Sequence, residues 1–253
     1  MPEAIILGSG TSNGVPSLGI TYPPEFLANP KNHRTRSSLL LLGPTGNLLV
    51  DCAPELRLQV TGLGITDIES VVVTHAHADH IMGMDDLRSI CMRTGKAMPV
   101  YTLAEHAAQI RQVFPYAFKD YPPGIVVPRF DLLEIPKRFE IGGMEILSFI
   151  VEHGTTRVIG LRVNNFAYIT DVSRIPEEVE PLLEGLDYLV LDAVRYRPHP
   201  NHFNMVQALE AAARIGAKRT ILTHLSDDYD HDVVDAGLPE GVTLAYDGMR
   251  LLI

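Results

Sequence analysis

The stretch Val71-Val72-Val73-Thr74-His75-Ala76-His77-Ala78-Asp79-His80 constrains this chain more than any other. It places three histidines and an aspartate directly after a run of valines. Such a run reads as a buried strand, so the polar residues fall at its carboxyl end, where the sites of α/β proteins commonly lie. Imidazole and carboxylate are ligands for borderline divalent ions such as Zn2+ or Mn2+. Groups this close in sequence diverge as the chain turns from strand into helix, so two ions are expected in place of one. A histidine-rich surface loop is the plainer alternative. Against it, three of the 10 histidines fall here, behind a core strand and not in a polar tract.

The segment Thr74 to His80 resembles the HxHxDH signature of the metallo-β-lactamase superfamily. Later residues follow the same order: His153 in Val151-Glu152-His153-Gly154, Asp171 in Tyr168-Ile169-Thr170-Asp171, and His224 in Leu222-Thr223-His224-Leu225. The resemblance implies that His75, His77 and His153 hold one ion, that Asp79, His80 and His224 hold the second, and that Asp171 bridges them. It also implies an α/β fold, the four-layer αββα sandwich. Hydrolysis by a hydroxide held between the two cations is the chemistry that follows.

Further segments resemble the phosphodiesterase branch of that superfamily, which includes the phosphoribosyl cyclic phosphodiesterases. They are Gly8 to Pro16, Arg34 to Ser38, Asp85-Asp86-Leu87-Arg88 and Ala245 to Met249. The branch implies one histidine outside the metal set. His202 is its best match, with the role of general acid or phosphoryl stabiliser, and His199 is the weaker match. Asp79 and Asp171 join His202 as the expected catalytic residues, and Ser9, Ser12, Arg34, Arg36 and Ser37 are the candidate substrate contacts. Asp51, at the end of a strand, either supports a metal ligand or caps the next turn.

The expected substrate is a small cyclic or nucleotide-like phosphodiester. Thioester or other acyl hydrolysis, transfer-RNA 3′ processing and non-catalytic nucleotide binding are the competing readings. A formal charge of −10 argues against a long nucleic acid, as does the lack of a Gly/Lys-rich arm. Residues 15–33 hold no cysteine for the structural zinc often found in this branch, and Cys52 and Cys91 read as core residues.

The 253 residues read as a single hydrolase domain, 1–253, because the candidate ligands run from His75 to His224 with no intervening linker. No stretch reaches the apolar length of a membrane span, and the start lacks a secretory pattern, so a cytoplasmic protein is expected. A homodimer is compatible with the fold. The Gly8 to Gly14 run is GxGxxxG and does not match a dinucleotide fingerprint.

Along the chain, apolar runs predict strands at Ala4 to Leu7, Leu39 to Leu42, Leu48 to Val50, Val100 to Leu103 and Leu186 to Leu191. Helices are predicted from Leu56 to Val60, from Ala104 to Val113, from Pro176 onward, and from Asn204 to Ile215 with Asn201 or Asn204 as its cap. Residues 15–31 read as a proline-rich loop, and Phe114 to Pro128 as an ordered loop whose aromatics line a pocket or pack. Hairpins are expected at Gly142-Gly143, at Asn164-Asn165 and, to close the chain, at Asp247-Gly248.

Overall fold

The computed structural model describes residues 2–122 and 124–253, so Pro123 of the predicted aromatic loop lies outside the described residues. The strands of the first half are β1 Glu3–Gly8, β2 Ser38–Leu42, β3 Asn47–Val50, β4 Ser70–Val72, β5 Met98–Thr102 and β6 Phe130–Glu134. Those of the second half are β7 Arg138–Ile141, β8 Met144–His153, β9 Thr156–Val163, β10 Phe166–Ile169, β11 Tyr188–Asp192, β12 Arg219–Thr223 and β13 Val242–Leu244. The last strand, β14 Met249–Leu252, returns to the first sheet. The two sheets run β14-β1-β2-β3-β4-β5-β6 and β13-β12-β11-β10-β9-β8-β7.

Both faces of the sheets are covered, and alternate residues of one strand serve different layers. In β1, Ala4 and Ile6 join Leu39, Leu41, Val72, Ile159, Leu161 and Ile221 in the core between the sheets. Ile5 and Leu7 face the opposite way, packing with Leu56, Met84, Leu87 and Ile110 of the outer helical layer. A second outer core sets Leu189 and Leu191 against Met205, Ala208 and Ala211. This is why the strands read as continuous apolar runs and not as alternating ones. The result is the four-layer αββα sandwich.

Among the described residues, seven α-helices connect the strands: α1 Pro24–Ala28, α2 Leu56–Thr61, α3 Ala78–Ile81, α4 Arg88–Thr94, α5 Ala104–Val113, α6 Met205–Ile215 and α7 His231–Asp235. Within each sheet one half is parallel: β3 to β6 in the first, and β10 to β13 in the second. Parallel strands gather their carboxyl ends on one rim, and that rim carries the residues following β3, β4, β10, β11 and β12.

Three predicted elements differ. The closing hairpin does not form, because β13 pairs parallel with β12 while β14 pairs antiparallel with β1. Asp247 lies at the crossing, its carboxylate accepting from the amide and hydroxyl of both Ser9 and Thr35 at 2.6–2.9 Å. Those contacts are distant in sequence, so they overrule the local Asp-Gly turn. The helix expected from Pro176 is reduced to a 3₁₀ turn at Glu180–Leu183, because Pro181 cannot sit inside a helix begun at Pro176 without clashing with the preceding turn. Residues 15–31 are not all loop: Pro24 starts α1, and buried Phe26 stacks on Tyr22 at 5.0 Å.

The helix α6 has the predicted cap. Asn204 accepts from the Gln207 amide and the Gln207 side chain accepts from the Asn204 amide, a complete capping box. Asn204→Ala is expected to lower stability by about 1 kcal/mol, and Asn204→Gly by a few tenths, read as the shift in urea midpoint at constant m.

Candidate metal centre

The rim collects side chains from both sheets. His75, His77, Asp79 and His80 leave the end of β4 and enter α3, His153 ends β8, Asp171 follows β10, and His224 follows β12. Asp51, Asp171 and His224 all have positive φ, at 63°, 50° and 57°. Such backbone is uncommon outside glycine and costs of order 1 kcal/mol or more per residue. Here it turns the side chain at each strand end onto the rim.

His202 joins two groups, with His153 and Asp171 and with Asp192 and His224, beside the two that carry the predicted ligands: His75, His77 and His153, then Asp79, His80, Asp171 and His224, each group's ligand atoms lying within 4.8 Å of one another. The Asp171 oxygens stand between them. Oδ1 is 3.9 Å from His75 Nε2 and 3.3 Å from His224 Nε2, and Oδ2 is 3.3 Å from His80 Nε2. Asp79 Oδ2 closes the second group at 3.4 Å from His80 Nε2 and 3.6 Å from His224 Nε2.

The atoms behind the rings fix which nitrogen faces inward. His80 Nδ1 donates to Asp51 Oδ2 at 2.7 Å, so its Nε2 points at the group. Asp51 is held in turn by the Thr74 amide and hydroxyl, both at 2.8 Å. His153 Nδ1 donates to the Asn201 carbonyl at 2.6 Å. Among the described residues, the Nε2 atoms of His80 and His224 are buried without a hydrogen-bond partner. An unpaired buried polar atom is costly, and a cation supplies the missing partner. The donor set therefore fits two divalent ions of the N/O-preferring kind, a binuclear metal site.

Electrostatics agree. Burial opposes charge on His80, yet Asp171, Asp51 and Asp79 outweigh it and hold its pKa well above the usual value. Burial likewise opposes charge on His224, but Asp171, Asp79 and Asp192 raise it to about 9. Burial alone would raise the Asp171 carboxyl; His224 and His80 instead keep it well below the usual range. His75, farther from the carboxylates, is pushed down by burial and its histidine neighbours.

A family model, the beta-lactamase superfamily domain, matches residues 46–225. The chain belongs to the β-lactamase superfamily. Among solved members of that fold, the chain is similar to a diphosphatase from the PhnP family, with 34% identity over 100% of this chain and 98% of the other, at a TM-score of 0.92. It superposes on Zn2+-bound PqqB from Methylobacterium extorquens with a TM-score of 0.77, 21% identity and 99% and 100% coverage, a likeness of fold. An octanoyltransferase of Porphyromonas gingivalis is 32% identical across 99% of this chain but only 51% of its own length. The chain thus spans about half the length of the first curated relatives it matches.

His202 lies at the edge of this superfamily site. Its Nδ1 donates to Asp192 Oδ2 at 2.8 Å, and its ring stacks on His224 at 4.7 Å. The candidate substrate contacts divide. Arg34 is buried, and its guanidinium is committed to the carbonyls of Ser226 and Tyr229 and to Asn32, so it is not presented to the site. Ser9 and Ser37 are also buried, with hydroxyls given to Asp247 and to the Gly10 carbonyl. Ser12 is exposed, and Arg36 holds its loop by donating to the Ser12 carbonyl and pairing with Glu55. That loop borders the site through backbone pairing of Gly10 and Thr11 with Leu225, next to His224.

Asp192 is the functional neighbour that sequence reading passed over. It fixes His202 with one oxygen, and its other oxygen, buried and unpartnered, lies 3.8 Å from His224 Nδ1. Its signal was available: like Asp51, it directly follows an apolar run. Cys52 and Cys91 are free and buried, as core residues should be.

Two outcomes are expected here. Asp51→Asn should weaken ion binding by about 10–100-fold, read by chelator competition, because the His80 ring loses its carboxylate acceptor. His80 and His224 have raised pKa values, so in the ion-free protein they contribute stability below their unfolded value of 6.5 that is lost as pH rises through about 9 for His224. An ion must displace those protons. Zinc affinity, and the rise in Tm that zinc confers, should therefore grow from pH 6 to about pH 9, with proton release seen by calorimetry in buffers of different ionisation enthalpy.

Proposed function

We propose that the protein is a metal-dependent phosphodiesterase acting on a small cyclic or nucleotide-like phosphodiester in the cytoplasm. The observation that carries the reading is His202, a histidine additional to the residues assigned to the ions, within ligand-atom reach of His153, Asp171 and His224 and held there by the buried Asp192 carboxylate. Phosphoryl chemistry is also the activity in the description of its PhnP-family relative.

In this reading His75, His77 and His153 would hold one ion, Asp79, His80 and His224 the other, and Asp171 would serve both, with Zn2+ and Mn2+ equally suited. Bound there, the pair would polarise the phosphoryl group and make water acidic enough to be a nucleophile near neutral pH. The remaining work belongs to the chain. His202 points Nδ1–H at Asp192, which fixes the ring and leaves Nε2 as the atom that delivers the acid proton. As water adds to phosphorus and the ester P–O bond breaks, that proton passes to the leaving oxygen. Ser12 and Arg36 on the bordering loop are the remaining candidates to orient the substrate.

The test is turnover by ion-loaded protein of 2′,3′- and 3′,5′-cyclic nucleotides, ribose cyclic phosphates, bis-p-nitrophenyl phosphate, an acyl thioester and precursor transfer RNA. Small phosphodiesters should be hydrolysed. Turnover of the thioester alone would transfer the site to acyl hydrolysis, and cleavage of the RNA alone to a nuclease. His202→Ala should lower kcat on cyclic nucleotides by about 10²–10⁴-fold while two ions per chain remain by elemental analysis.

A further inference from the structure

Between β11 and α6 the chain crosses the edge of the site as Arg195-Tyr196-Arg197-Pro198-His199-Pro200-Asn201. This loop is fixed at many points. The Arg195 carbonyl accepts from the Met205 amide, and the Tyr196 amide donates to Asp228. The Asn201 carbonyl accepts from His153, while the Asn201 side chain occupies the space that a Cβ on Gly154 would need. Arg195 turns its guanidinium back onto the carbonyls of Arg197 and Pro198 instead of onto a carboxylate. Two prolines flank His199 and stiffen it further.

What the loop presents is His199. Its ring lies 4.8 Å from that of His202, at an interplanar angle of 63°, and is only partly covered. Its Nδ1 accepts from the Asn201 amide at 3.1 Å. A backbone amide can only donate, so the proton of the neutral ring sits on Nε2. Among the described residues, that Nε2–H has no partner within the protein. Burial, His202 and Arg195 all lower the pKa of the ring, which keeps it a neutral donor at physiological pH. Arg197, exposed on the same loop, adds positive charge to a chain whose formal charge is −10.

The position has a direction. If His202 protonates the leaving oxygen, the leaving group lies on its side of the site, against His199. A neutral ester group would find there a donor without an acceptor and unneutralised arginine charge. An anionic group would satisfy both.

We propose that His199 is a substrate-contacting residue whose Nε2–H takes an oxygen of a phosphate leaving group, so that the site favours phosphoric anhydrides over phosphodiesters with uncharged leaving groups. The proposal rests on the phosphodiesterase reading and on the acid role of His202. For a nucleoside diphosphate, water adds to the α-phosphorus and the bond from that phosphorus to the bridging oxygen breaks. The His202 proton goes to that oxygen, and the products are the nucleoside monophosphate and inorganic phosphate.

The experiment compares two substrates attacked at the same phosphorus by ion-loaded protein: thymidine 5′-diphosphate and the p-nitrophenyl ester of thymidine 5′-monophosphate. His199→Ala should lower the ratio of kcat/KM for the diphosphate to that for the ester by about tenfold or more, the size of a lost hydrogen bond to a charged group. His199→Gln, which keeps a donor, should restore part of it. Calorimetric binding of thymidine 5′-(α,β-methylene)diphosphate should weaken in parallel in His199→Ala. An unchanged ratio, as a merely structural loss would give, overturns the proposal. So does a wild-type protein that hydrolyses the ester but neither binds nor cleaves the diphosphate, an outcome that leaves the phosphodiesterase reading intact. If neither substrate turns over, the phosphodiesterase reading stands or falls on the cyclic phosphates, and the His199 contact is decided by binding of the methylene analogue: unchanged in His199→Ala overturns it, weakened supports it.

Discussion

Ring nitrogens and carboxylate oxygens meet at the rim at separations that leave several of them without a hydrogen-bond partner among the described residues. His80 and His224 turn buried, unpartnered Nε2 atoms toward Asp79 and Asp171, while their Nδ1 atoms face Asp51 and Asp192. Lone pairs concentrated in this way repel one another and lose solvation, so the arrangement is stable only with positive charge among them. Protons fill that need in the ion-free chain, as the raised histidine pKa values record. Divalent ions meet it more fully, because each accepts several of these donors at once. Architecture and chemistry both follow from that demand for positive charge.

Holding such a cluster requires a frame that does not relax. The rim is anchored by strands buried on both faces, with residues such as Ile6, Leu41, Val72 and Ile221 fully inside. Close-packed interiors resist displacement, so the strained turns at Asp51, Asp171 and His224 persist. The carboxylates behind the ligands form a further layer. Asp51 binds Thr74 and His80 together, and Asp192 holds His202 close to a metal-facing ring. The site is thus supported from each sheet by its own buried aspartate.

The loop from Arg195 to Asn201 extends the same logic outward. Its attachment to His153 through the Asn201 carbonyl links whatever His199 contacts to the first ligand group without a flexible intermediary. Preorganised donors of this kind bind anions without first losing conformational freedom. The opposite border is held by Arg36, through its donation to the Ser12 carbonyl and its pairing with Glu55, and by the half-buried Asp247 node.

Much of this was legible in the amino-acid order, because the signals are local. A valine run followed by closely spaced histidines fixes a strand end and a donor set, and Asn204 with Gln207 fixes a helix start. The apolar runs ending at His153, Asp171 and His224 place those residues at element ends. Pairing across long separations was not legible. The Asp-Gly at residues 247–248 looks like a hairpin locally, yet its flanking strands belong to different sheets, since Ser9 and Thr35 claim the aspartate. Arg34 reads as a phosphate contact until the fold encloses it among carbonyls. Sequence alone determined which side chains could bind ions, where the apolar strands that end in those side chains run, and where the helix behind Asn204 begins. Tertiary structure decided which donors face inward, which polar residues are consumed as internal ties, and that Asp192 stands behind His202, because burial and hydrogen-bond partners are set by segments far apart in the chain.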